Sequence, residues 1–112
     1  MEREYTMEVK RKSIDWETTG KNLRNLRCND LNLRRFVCKA LKHDGCDGAD
    51  CDNCKEYYMD NHITQGELAQ VMNVTSNMIV NWERGTSRPT LEDLLLYCDI
   101  CKKELFDIIV FY

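Results

Sequence analysis

The chain has 112 residues, 43% of them apolar, and a formal net charge of −3, which points to one domain or one domain with a small appendage. No apolar run is long enough to cross a bilayer, and the charged opening "MEREYTMEVKRKSIDWETTG" lacks the apolar middle of a secretory signal, so the expected setting is cytoplasmic, with no membrane partner and with reduced thiols. Residues 1–42 carry 11 Lys/Arg against 6 Asp/Glu, and residues 43–112 carry 5 against 13; an acidic whole is a poor non-specific nucleic-acid binder, but its basic first half can still meet phosphates.

In chain order, Tyr5, Met7 and Val9 alternate before Lys10-Arg11-Lys12, a pattern that suits either a short strand or a solvated basic arm. "GKNLRNLR" (20–27) sets Leu23 and Leu26 at helical spacing with basic residues opposite. "NLRRFVCKALK" (32–42) repeats the pattern with Leu33, Phe36, Val37 and Leu41, and Asp30 or Asn32 is the expected cap. Cys28 and Cys38 read most simply as buried thiols on these amphipathic helices.

"HDGCDGADCDNC" (43–54) concentrates three of the chain's seven cysteines and one of its two histidines. An odd cysteine count in a reducing compartment argues against a disulfide framework. His43, Cys46, Cys51 and Cys54 read H-x2-C-x4-C-x2-C: each x2 pair forms a compact chelate, and the x4 spacer lets the chain fold back to complete a tetrahedron. This is the ligand set and number of a structural zinc site. Gly45 and Gly48 allow tight wrapping, and Asp44, Asp47, Asp50 and Asp52 add a negative field; a polar loop of this length buries no core, so metal would supply its folding energy. C-x4-C-x2-C is also the spacing of plant-type ferredoxins, which keeps an iron–sulfur cluster, with Cys38 or a distant cysteine as fourth ligand, and an exposed thiol switch as alternatives.

"KEYYMD" (55–60) follows as a helical turn or linker. Thr64-x-x-Glu67 then forms a capping box ahead of Leu68, Ala69, Val71 and Met72. Asn73–Thr75 breaks that helix, Asn73 being tolerant of a left-handed backbone. Thr75 caps a second helix in which Ile79 and Trp82 point one way, and Gly85 ends it. Two short helices joined by a tight turn, with the small Ala69 in the first, make a helix-turn-helix. Ser76, Asn77 and Asn81 are left on the outer side, short polar groups able to read base edges. Thr90 caps "LEDLLLYCDICKKEL" (91–105). Cys98 and Cys101 lie inside that helix and read as buried thiols rather than a redox pair. "FDIIVFY" (106–112) suits a strand or a last helical turn; its apolar end is costly to expose, so it is expected to cover local core or to pair with Tyr5–Val9, in cis or across a two-fold axis.

"ITQGELAQVMNVTSNMIVNWERGTSRPTLEDLLLYC" resembles the Cro/C1-type (XRE-like) helix-turn-helix of phage repressors and bacterial regulators. The matching elements are Thr64-Gln65-x-Glu67-Leu68-Ala69, the Val74-Thr75 turn, Ile79-x-x-Trp82-Glu83-x-Gly85 and Pro89; together they cover about residues 62–108, and "GKNLRNLR" resembles the family's first helix. The resemblance implies a mainly α, lambda-repressor-like bundle of five helices that docks on double-stranded DNA. It carries base reading onto Ser76, Asn77 and Asn81 and phosphate contact onto Gln65, Arg84, Thr86, Ser87 and Arg88, with Glu83 as a structural or positioning group. Three departures stand out: Asn73 and Lys102 replace family glycines, and about 35 residues separate "NLR" from "ITQ" where the family has a few.

The expected organisation is an arm or short strand over 1–18 and a helix-turn-helix domain over 19–112, with a metal-binding insert at about 28–61 that braces the N-terminal helices. No phosphate loop or nucleophile–base constellation appears, and no small-molecule substrate is evident, so an enzyme is not expected. The primary expectation is a homodimeric, sequence-specific transcription regulator, since such proteins bind paired half-sites. The alternatives are a protein-interaction module on the same fold, antitoxin-like or a phage inhibitor, and an iron–sulfur or redox-sensing regulator.

Overall fold

A side chain that accepts a first-turn amide precedes every helix but the last in the computed structural model, which describes residues 13–41 and 63–112. Helix α1 (Trp16–Asn29) starts on Asp15, whose carboxylate accepts from the Thr18 amide (3.1 Å) and hydroxyl (2.8 Å). These bonds, the backbone one foremost, hold the Asp15 carboxyl below its ordinary value. Helix α2 (Leu31–Leu41) starts on Asp30, whose Oδ2 accepts from the Leu33 amide at 2.9 Å. Asp30, not Asn32, is therefore the cap. Helix α3 (Gln65–Met72) has both halves of the Thr64/Glu67 capping box, at 3.0 and 2.9 Å. Helix α4 (Ser76–Arg84) is capped by Thr75 and closed by Gly85 at φ +78°. Helix α5 (Leu91–Cys101) adds a second box, Thr90 with Asp93. A single turn, α6 (Leu105–Ile108), follows.

The described residues are mainly helical, with six helices and no sheet. Leu23, Leu33, Val37, Ile63, Leu68, Ile79, Tyr97 and Ile108 are fully or almost fully buried in one continuous core. Helix α1 packs on α4, α3 on α4, and α2 bridges α3 and α5. Helix α2 is thus an integral layer of the bundle, held by Leu33, Val37 and Cys38.

Several expectations are corrected here. The domain reaches back past residue 19: α1 begins at Trp16, and Ile14 forms an antiparallel bridge with Phe111. The Asp15 amide donates to the Val110 carbonyl (2.7 Å) and the Tyr112 amide to the Ser13 carbonyl (3.0 Å). The tail therefore makes a last helical turn and then pairs in cis with residues 13–15; Tyr5–Val9 lies outside the described residues. Helix α5 stops at Cys101 rather than Leu105, because Lys102 adopts the left-handed conformation (φ +59°) and Glu104 opens α6. Phe36, expected on the inner face of α2, is exposed, and Cys28 is only half-buried.

Candidate nucleic-acid interface

The α3–turn–α4 unit is built on its inner side. Ile79 is fully buried and Trp82 nearly so, three residues apart on one helical face. Asn73 takes φ +59°, letting its amide close α3 on the Ala69 and Gln70 carbonyls. Val74 then reaches the Ala69 carbonyl at 3.0 Å, so the turn is tight and Ala69 lies buried beneath α4.

The contact between α1 and α4 is closer still. A Cβ on Gly20 would lie 2.5 Å from the Trp82 carbonyl oxygen and 2.6 Å from that of Glu83. Only a residue without a side chain fits that crossing.

Two turns further along α1, Arg27 is buried with Glu83 in a two-pronged ion pair, Nε to Oε2 at 2.7 Å and Nη2 to Oε1 at 2.9 Å. Arg27 Nη1 also donates to the Ile63 carbonyl (2.8 Å), and Gln65 Nε2 donates to Glu83 Oε1 (3.0 Å). One carboxylate thereby joins α1, the entry to α3 and the end of α4. The hydrogen bonds that Arg27 donates to Glu83 raise its pKa further above the ordinary value, so the cation is permanent. Tyr97 lies nearby; burial raises the pKa of its hydroxyl, which has no hydrogen-bond partner among the described residues.

Arg27 was expected among the basic residues opposite Leu23 and Leu26, on the water side. A signal was present: Arg27 is four residues after Leu23 and Glu83 four after Ile79, so each charge falls on an apolar face. Opposite charges placed in that way on two helices are candidates for a buried pair.

On the outer side, Ser76, Asn77 and Arg84 are exposed and Asn81 half-exposed, lying along one face of α4. Thr86 ties Asn81 down: its hydroxyl reaches Asn81 Oδ1 and the Asn81 carbonyl, both at 3.3 Å, and its amide donates to the same carbonyl at 3.0 Å. The Ser87 amide adds a bond to that carbonyl at 3.3 Å. Arg88 lies over the Trp16 ring, its Cζ 5.7 Å from the centroid. Gln65, expected to face a phosphate, directs its amide nitrogen to Glu83. With Glu83 buried against Arg27, the charges left on this side are Arg84 and Arg88, both exposed, and the half-buried Glu67, whose carboxylate is held in its cap.

Residues 55–108 match the family model of the Cro/C1-type helix-turn-helix. The matched stretch takes in α3 to α6, while α1 and α2 precede it. This helix-turn-helix family is one of DNA-binding regulators and generally not of enzymes. No curated protein and no solved structure matches the chain.

His43, Cys46, Cys51 and Cys54 lie outside the described residues. Among the described residues no cluster of three or more His, Cys, Asp or Glu could hold a metal ion, and no helix is long and apolar enough to cross a membrane. Burial, with Asp30 as a lesser cause, pushes the Cys101 thiol up to about 12, and burial also raises Cys98. Both are protonated at neutral pH, which suits core thiols and not a nucleophilic pair.

Proposed function

We propose that the chain is a cytoplasmic, sequence-specific transcription regulator that presents α4 to the major groove of double-stranded DNA. In this reading Ser76, Asn77 and Asn81 address base edges, asparagine being able to form a bidentate pair with adenine. Arg84, Thr86, Ser87 and Arg88 meet phosphates on either side, and Gln65 does so through its place in the first turn of α3, where backbone amides also favour an anion. The observation that carries the reading is the contrast across α4: its inner side is locked by Arg27–Glu83 while Ser76 and Asn77 stand exposed beside a loop that orients Asn81. A salt-dependent gel shift on a selected DNA pool tests it. The expected result is a sequence preference lost in Asn77→Ala and Asn81→Ala; unchanged binding in both variants overturns the base-reading assignment. Capture of a protein and no duplex would instead favour an interaction module on the same fold.

A homodimer is part of the proposal. Leu91, Leu95, Phe106 and Tyr112 are exposed on α5, α6 and the tail, and Phe106 is 75% accessible; large apolar side chains left in water suit a second copy on a paired half-site. Sedimentation at micromolar concentration is expected to give twice the chain mass.

The spacing of His43, Cys46, Cys51 and Cys54 supports a structural zinc ion in the segment between α2 and α3. Native mass spectrometry is expected to find one zinc per chain, lost in Cys51→Ser. Visible absorbance from the purified protein would replace zinc with an iron–sulfur cluster.

A further inference from the structure

Arg88 sits on an irregular loop, where a long, flexible cation gives up much side-chain entropy on reaching a phosphate. The structure offers it a platform. The Trp16 ring lies under its guanidinium at 5.7 Å, and Trp16 is fixed from two directions. Behind it, the chain is pinned by the hydrogen bonds of Asp15 and Ser13 to the tail and by the Val110 amide donating to Thr19 Oγ1 at 3.0 Å. In front, the loop closes onto it: a Cβ on Gly85 would lie 2.7 Å from the Trp16 carbonyl oxygen. The first turn of α1 and the loop after α4 are therefore in backbone contact, with the Arg88 guanidinium over the Trp16 ring alongside. A guanidinium over an aromatic face is attracted by the negative quadrupole of the ring, a contact that uses up none of its N–H donors and leaves them for a phosphate.

We infer that Trp16 is a positioning residue for DNA-backbone contact, holding Arg88 over its ring so that the guanidinium edge is presented to a phosphate beside the recognition helix. This inference rests on the DNA-binding reading above. It also gives the tail a part in binding, because the bridge between Ile14 and Phe111 helps fix the ring.

The experiment is a double-mutant cycle on the full chain with a selected duplex, followed across a salt titration. Arg88→Ala is expected to lower the slope of log affinity against log salt by about one. Trp16→Leu is expected to weaken binding by about two- to fivefold, to add nothing in the Arg88→Ala background, and to be largely rescued by Trp16→Phe, which keeps a ring face. Equal losses from Trp16→Leu with and without Arg88 would show a merely structural residue and overturn the proposal. So would normal binding by Trp16→Leu when Arg88→Ala binds poorly. Loss of binding in Asn77→Ala with none in Arg88→Ala would remove Arg88 from the interface and sink this inference while sparing the regulator reading. Failure of the parent chain to bind any duplex removes both.

Discussion

On one side of α4, Ile79, Trp82 and Glu83 are buried against α1 and α3; on the other, Ser76, Asn77 and Arg84 meet water. Nine residues thus serve two purposes that do not compete. The inner side spends a buried ion pair and a backbone-to-backbone crossing on fixing where the helix lies. The outer side makes few bonds to its own protein, those of Asn81 to the following loop among them. A reading helix must be held firmly by groups that never touch its target, because side chains aimed at a ligand can contribute little to holding the helix.

This contrast can be broken most violently at Glu83. Glu83→Ala leaves Arg27 buried without its counter-charge and is expected to destabilise the fold by about 3–5 kcal/mol, measured by urea denaturation, with DNA affinity falling only as far as unfolding explains. At Gly20, Ala should raise helix propensity, but its Cβ meets two carbonyls at 2.5 and 2.6 Å; a loss of about 1–3 kcal/mol is expected instead, and a gain in melting temperature would refute the close crossing. Asn77→Ala and Asn81→Ala sharpen the comparison from outside. Each is expected to cost about 1–3 kcal/mol of discrimination for the preferred sequence, while stability moves by no more than about 0.5 kcal/mol. The smallest effect lies away from α4: Lys102→Gly relieves a left-handed backbone and should stabilise by about 1 kcal/mol, whereas Asn73→Gly should change less, since asparagine tolerates that conformation.

Much of the bundle is legible from local chemistry. Thr64, Thr75 and Thr90 mark three helix starts, and Gly85 marks one end, because a cap is a bond between residues three or four apart. Asn73 was readable as a left-handed turn for the same reason. Lys102 was not: lysine has no special tolerance of that conformation, so local chemistry runs the helix on to Leu105, and only the family resemblance, which has a glycine there, marked the end. The outward places of Ser76 and Asn77 follow directly from the periodicity of α4, whereas Arg84 and Ser87 were expected at DNA only from the family resemblance; all four are exposed. The hydrogen bond of Gln65 to Glu83 and the cation–π contact of Arg88 with Trp16 do not follow from periodicity, because each partner lies on a distant segment.

The sequence alone determined where α3, α4 and α5 start, which side of α3 and α4 is apolar and which short polar residues remain on the outer side of α4, since these depend on neighbours within a turn. Only the tertiary structure decided that Arg27 and Glu83, 56 residues apart, share the core, that Gly20 is a crossing point, that the tail closes on Ile14, and that α2 becomes a layer of the bundle. Such pairings arise from packing and desolvation between segments, and each partner's local pattern is equally compatible with a place at the surface.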